Sequence, residues 1–349
     1  MSNNYTIKQI AEIAGVHRST VDKVLHNRPG VGPEVRARVK KVLNEVDYKP
    51  NLFGKALKQQ KKLKKIGVLL LNTSSIHMLS EGVSQAAQEF GRFGIVPEIY
   101  YTNFWDVKSQ SETIKRLIDE GISGIVIHPL DTPEVIEALN MAVLQNIPVI
   151  CVCSDLKDCR RMCFVGQNPN MAAKTAARMT AEIMHGKGRL AIVSGLYDLL
   201  NAISVRSTVF QSHLKAIAPD IKIAGEVKTM DDEAFVMYAV AEFLQENPVD
   251  YLYQTSGGVE WTARAIRLLE VPTKIVCFDT YPQHLMLVRE GVVTCTIGQE
   301  LVKQGYMAIK LLFDYFYYGE KPEAEFYYTD VDIRVLENVD VVGANFQNA

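Results

Sequence analysis

Apolar residues over positions 6–46 recur at helical spacing in three short stretches. Ile7, Ile10, Ala11 and Ala14 form the first stripe, and Thr6 stands where it can cap the free N–H groups of the opening turn. Gly15 breaks the pattern. Val21, Val24 and Leu25 then form a second stripe that turns Arg18, Ser19, Asp22, Lys23 and His26 to the opposite face. Behind Pro33, a favoured opening residue, Val35, Val39, Val42, Leu43 and Val46 make a third. The spacing predicts a helix-turn-helix hairpin closed by a third helix into a small core. A helix about 10–12 Å across fits the major groove of B-DNA, where Arg, Lys and Ser reach base edges and phosphates. An ordinary helical hairpin with a solvated charged face is the competing reading.

From Ile66 the period changes. The runs IGVLLL (66–71), PEIYY (97–101), SGIVIH (123–128) and IPVICVC (147–153) alternate with amphipathic stretches over 79–93, 107–120 and 132–145. The pattern then restarts, with predicted helices over 169–185, 204–217, 231–245 and 259–269 between the strands RLAIVS, 221–227, DYLYQ and KIVCF. Near-continuous apolar strands separated by amphipathic helices indicate parallel sheets covered on both faces, so two doubly wound lobes are expected. A late helix over 299–318 and tail strands are expected to cross back. Ligands of open α/β sheets bind beyond the carboxyl ends of the strands, and two facing sheets make a cleft. The residues just after the strands are therefore candidates: Asn72, Thr73 and Ser74, then Ser154 and Asp155, then Thr255 and Ser256, then Asp279 and Thr280.

Composition sharpens this picture. At 349 residues, with 48% apolar and 22% charged content, the chain is globular and long enough for two or three cores. No uncharged apolar run of membrane-spanning length occurs and the N-terminus lacks a signal-like apolar core, so a cytoplasmic protein without membrane contact is expected. The net charge of −2 hides an asymmetry: residues 1–65 hold 15 Lys+Arg against 5 Asp+Glu, and the remainder 23 against 35. A polyanion attracts the first part and repels the second. Cys151, Cys153, Cys159 and Cys163 match no common zinc spacing, and buried thiols are expected of them and of Cys277 and Cys295. No metal and no cofactor are expected.

The motif A-x-x-A-G-V-x-x-S-T-V-x-K-V-L over 11–25, then RPGV at 28–31 and YKPN at 48–51, resembles the lactose-repressor (LacI/GalR) family. The phrases GISGIVIHPLD, IPVICVCSD and FVGQNPNMAA resemble the periplasmic sugar-binding-protein fold that forms the core of that family, so the likeness covers essentially the whole chain. It implies an all-α DNA-binding headpiece over 1–50, a hinge over 51–65 and an α/β core over 66–349. Within that core one lobe would span about 66–164 and 300–327, and the other about 165–297 and 328–344. It also implies a homodimer on near-palindromic double-stranded operator DNA, with Leu57 as a minor-groove wedge between lysines. The implied DNA contacts are Thr6, His17, Arg18, Ser19, Thr20, Lys23, His26, Arg36, Asn51, Lys55 and Leu57.

For the effector the family pattern points to Arg206 and Asp279, a guanidinium fork and a carboxylate that suit a polyol; an ion pair bridging the lobes is the alternative. Asn72, Ser74, Asp155, Ser256, Trp261 and Gln299 complete the candidate set, Trp261 as a ring that could stack on a sugar. Two departures leave the effector's identity open. Thr255, Ser256, Gly257 and Gly258 stand where many members carry Asn-Asp, and Cys153 stands where an aspartate usually ends its strand. The implied function is a dimeric repressor whose operator affinity a small molecule, a sugar in the first instance, modulates. A nucleobase effector is one alternative. An α/β enzyme with a basic appendage is another, although no G-x-S-x-G, G-x-x-x-x-G-K or H-E-x-x-H motif occurs.

Overall fold

The computed structural model describes residues 5–25, 28–46, 63–73, 76–103, 105–195, 199–229 and 233–340. Of the candidate site residues, His26, Asn51, Lys55, Leu57 and Ser74 lie outside the described residues.

The headpiece has three helices, α1 (Ile7–Ala14), α2 (Arg18–Leu25) and α3 (Pro33–Glu45). Thr6 opens α1 with a capping box: its hydroxyl accepts the Gln9 N–H at 3.3 Å, and its own N–H donates to Gln9 Oε1 at 2.8 Å. Gly15, at φ 61°, ends the helix in the left-handed region that only glycine enters at no steric cost. Ile10, Ala11, Ala14, Val21, Val24, Val39 and Val42 close the core between the three helices.

The remainder is two α/β lobes. In chain order the elements are β1 (Lys64–Leu71), α4 (Ile76–Phe90), β2 (Ile95–Thr102), α5 (Val107–Asp119), β3 (Gly124–Ile127), α6 (Pro133–Leu144), β4 (Val149–Val152) and β5 (Cys163–Gln167). Then come α7 (Pro169–Ile183), β6 (Lys187–Gly195), α8 (Asn201–Ile217), β7 (Asp220–Thr229), α9 (Glu233–Glu246), β8 (Tyr251–Gln254), α10 (Val259–Leu268), β9 (Lys274–Phe278), α11 (Pro282–Arg289) and β10 (Val293–Gly298). The chain finishes with α12 (Leu301–Tyr318), β11 (Phe326–Thr329) and β12 (Asp332–Arg334).

One sheet runs β11-β5-β4-β3-β1-β2, all parallel; the other runs β12-β10-β9-β8-β6-β7, with β12 alone antiparallel. The interiors of β1, β3, β4, β6, β8 and β9 are buried on both faces, which is why they read as near-continuous apolar runs. Helices α4 and α12 cover one face of the first sheet, crossing at two glycines. A Cβ on Gly82 would lie 1.9 Å from the Val302 carbonyl oxygen, and one on Gly305 would lie 2.3 Å from that of Leu79.

Three elements, β5, α11 and β10, go beyond the sequence expectation. Gly166 and Gln167 interrupt the apolar run of β5, and threonines alternate through β10, so neither looks like a buried parallel strand. The chain passes between lobes after Gln167, after Gly298 and after Thr329.

Candidate functional site

On the headpiece, Arg18, Ser19 and Lys23 are exposed on the outer face of α2, with Thr20 partly covered. His17 is exposed too, but its ring serves the helix: Nδ1 accepts the Ser19 N–H at 3.3 Å and lies 2.8 Å from the Ser19 hydroxyl. His17 thus caps α2 and orients Ser19. Arg36, on α3, donates to the Arg28 carbonyl at 2.7 Å, and Arg28 reaches Asp22 at 3.4 Å, so this pair fixes the approach of α3 to the end of α2. Thr6 is exposed but occupied in its capping box.

The carboxyl ends of the two sheets face each other across a cleft with about 570 Å³ of empty space. The first lobe supplies Thr73, His128, Cys153 and Ser154; the second supplies Arg206, Ser256, Asp279 and Tyr281, and Gln299 comes from the second crossing. Cys153, Asp279 and Glu300 hold φ of 62°, 71° and 53° at these strand ends, a strain that structures retain where the surroundings over-determine it.

A hydrogen-bonded chain fixes the polar groups. Gln299 Nε2 donates to Asp279 Oδ1 at 2.5 Å, and the Tyr281 hydroxyl donates to Oδ2 at 3.0 Å. Arg206 donates to the side-chain oxygens of Gln299 at 3.2 Å and Gln167 at 3.4 Å, and to the Thr255 carbonyl at 3.4 Å. Its guanidinium lies 3.9 Å from the ring centroid of Phe278, a cation–π contact in a dry setting. Gln304 joins the lobes, accepting the Cys153 N–H at 3.1 Å and donating to the Gln299 carbonyl at 2.7 Å.

Several buried atoms at the cleft have no partner: Arg206 Nε, His128 Nδ1 and Ser256 Oγ. Buried polar groups are normally satisfied, and all three of these residues line the cleft. Burial, and then the neighbouring Arg206 charge, lower the His128 pKa to about 4, so the imidazole is neutral near pH 7. Burial raises the Cys153 thiol and the Tyr281 hydroxyl well above their ordinary values, Asp279 contributing to both. The cleft therefore holds one fixed cation, one fixed anion and several neutral donors and acceptors.

The structure brings Arg206, Ser256, Asp279 and Gln299 together here. Asn72 instead turns outward, exposed, and donates to Asn103 at 3.4 Å. Asp155 is gripped by Arg161, six residues on, and borders an adjoining cavity. Trp261 packs against the outer core of the second lobe, with Arg264 4.1 Å over its ring. Sequence reading passed over Tyr281, Gln167 and Gln304, and with them His128. It directly follows the buried end of β3, and the rule that selected Ser256 and Asp279 selects it equally.

Among the described residues no helix is long and apolar enough to cross a membrane, and no group of three or more His, Cys, Asp or Glu could hold a metal ion. All six cysteines are buried free thiols, and burial pushes Cys163 and Cys295 up to about 12.

Residues 66–321 match the periplasmic binding protein domain model, and residues 6–51 match that of the bacterial regulatory proteins, lacI family. Among curated relatives, the ribose operon repressor of Lactococcus lactis is 31% identical over 35% of this chain and 36% of its own length. The HTH-type transcriptional regulator TreR of Escherichia coli is 34% identical over 38% of each chain. Catabolite control protein A of Staphylococcus epidermidis is 24% identical over 56% of each. The chain thus spans roughly a third to a half of the length of the curated relatives it matches. Among solved structures, a solute binding protein from Burkholderia graminis in complex with D-arabinose superimposes at a TM-score of 0.74 with 21% identity, over 80% of this chain and 97% of that one. An arabinose binding protein from Geobacillus stearothermophilus does so at 0.67 with 22% identity, over 80% and 99%. At these identities the likeness is one of fold.

Proposed function

From the premise that this chain belongs to the periplasmic binding protein domain family and carries a lacI-family headpiece, we propose that it is a DNA-binding transcriptional repressor and not an enzyme. It acts as a homodimer in the cytoplasm on a near-palindromic operator, and a sugar or sugar derivative held between its lobes sets its operator affinity. The observation that carries the effector reading is the convergence of unpartnered Arg206 Nε, His128 Nδ1 and Ser256 Oγ on a cleft whose fixed charges, Arg206 and Asp279, balance. A neutral polyol supplies both donors and acceptors to such a lining without bringing charge into it. On the headpiece, Arg18, Ser19 and Lys23 are the base- and phosphate-reaching groups, with His17 as the residue that orients Ser19.

An effector changes operator affinity only through its differential affinity for the DNA-competent and DNA-incompetent arrangements, a coupling of about 1–3 kcal/mol in typical cases. The lobe crossings after Gln167, Gly298 and Thr329 and the Gln304 link are where this chain would carry that difference. The test begins with an operator selected from random duplexes, titrated with and without sugars that raise the melting temperature of the protein. Arg18→Ala should weaken operator binding whatever the sugar, and Asp279→Ala should abolish the sugar response while ligand-free operator affinity stays the same. A selected site without an inverted repeat would sink the dimer reading, and an unchanged response in Asp279→Ala would place the effector elsewhere.

A further inference from the structure

A second cavity opens beside the central cleft and shares Cys153 and Ala202 with it as walls. Its empty space, about 810 Å³, exceeds that of the cleft. One wall is aromatic. On β11, an edge strand, Phe326 and Tyr328 stand two residues apart on one face with ring centroids 5.5 Å apart and planes inclined by 17°, and Phe164 meets Tyr328 edge-on at 6.4 Å. Both rings remain 40% and 47% exposed, respectively. The platform is nevertheless rigid, because Arg161 lies 5.1 Å from the Phe326 centroid and is itself held by Asp155 and Glu325.

The facing wall belongs to the other lobe, with Asn170 in the first turn of α7 and Asn201 at the start of α8. Among the charged groups around the space, Asp155 and Glu325 balance Arg161 and Lys157, so the lining favours no ion of either sign. A flat aromatic face opposite carboxamides, without net charge, suits a saturated ring that shows C–H groups on one face and hydroxyls at its rim.

We propose that this compartment takes the second ring of a two-ring carbohydrate, whose first ring is bound by Arg206 and Asp279. The inference rests on the sugar reading of the central cleft. Because the compartment is walled by both lobes, the second ring adds to the hold of one lobe on the other as well as to affinity. Asp155 then belongs to the ligand site through the aromatic platform it steadies and not through the central cleft.

The test uses the full chain and a panel of disaccharides, each beside its component monosaccharides, with affinities from calorimetry. The expected result is a disaccharide that binds about tenfold or more tightly than either component, the scale of one good ring contact. Tyr328→Ala should reduce that disaccharide to the monosaccharide level and leave monosaccharide affinity within about twofold. Asn201→Ala, from the opposite wall, should act in the same direction and stands in if the strand variant is unstable. Monosaccharides that bind with no disaccharide surpassing them would overturn the second compartment alone. A disaccharide advantage that survives both substitutions would also overturn it. Failure of every saccharide to bind the parent would remove the sugar reading and this inference together.

Discussion

Replacing Arg206 by methionine separates a binding residue from a structural strut. The guanidinium is 5% exposed, its three hydrogen bonds are long and go to neutral oxygens, and Nε has no partner. Taking a buried charge out of the interior relieves a desolvation cost of several kcal/mol, and Asp279 keeps its own hydrogen bonds to Gln299 and Tyr281. Against this stand the lost bonds, at about 0.5–1.5 kcal/mol each, and a cation–π contact worth up to about 2 kcal/mol. The two sides nearly cancel, so ligand-free stability should change by no more than about 2 kcal/mol in either direction. Sugar binding should suffer far more. Truncating one charged partner at a buried hydrogen-bonded site costs about 2–5 kcal/mol, equivalent to a loss in Kd of roughly 30-fold or more. Urea midpoints without ligand and calorimetric titration with the effector measure the two quantities. A ligand-free loss above about 3 kcal/mol, or an affinity within threefold of the parent, would refute the argument and make Arg206 a brace between the lobes.

Three further outcomes are expected. His128, with its folded pKa lowered to about 4 from 6.5, binds its proton less readily folded than unfolded, so stability should be full above about pH 6.5 and fall as pH drops towards 4. The loss is roughly 3 kcal/mol at most, and His128→Gln should flatten that part of the curve of urea midpoint against pH. Gly305→Ala places a methyl 2.3 Å from a backbone oxygen, forces α4 and α12 apart and should cost about 1–3 kcal/mol, read as a lower melting temperature. Thr6→Ala removes the capping box of α1 and should lower headpiece helicity, measured by hydrogen exchange, by about 1 kcal/mol of local stability.

Much of the architecture was legible because its signals are local. Helical spacing, a capping threonine and a turn glycine define the headpiece, and apolar runs between amphipathic helices define the sheets. The rule that ligands sit past the strand ends finds Ser256 and Asp279, and family likeness adds Arg206. What stayed hidden depends on partners distant in sequence or on side-chain direction. That Arg161 folds back to take Asp155, or that Asn72 turns to Asn103, is not written in either neighbourhood. Trp261 sits on a helix whose stripe gives no sign of which lobe face it serves. The aromatic platform of β11 stayed hidden because its exposure follows from an edge position that only the strand order reveals.

The interleaved order of the two sheets bears on how the chain is made. The second lobe's parallel strands β6–β10 form one continuous segment, whereas the first sheet needs β11 for its edge and α12 to cover a face, both encoded after that segment. Leu301, Ala308, Ile309, Leu312 and Phe313 all belong to the core that α12 completes. During synthesis the first half of the chain therefore leaves the ribosome with an apolar face uncovered, and its later neighbour can close first. Until residue 318 is free, the earlier lobe keeps that face open, and transiently exposed apolar surface of this kind favours aggregation.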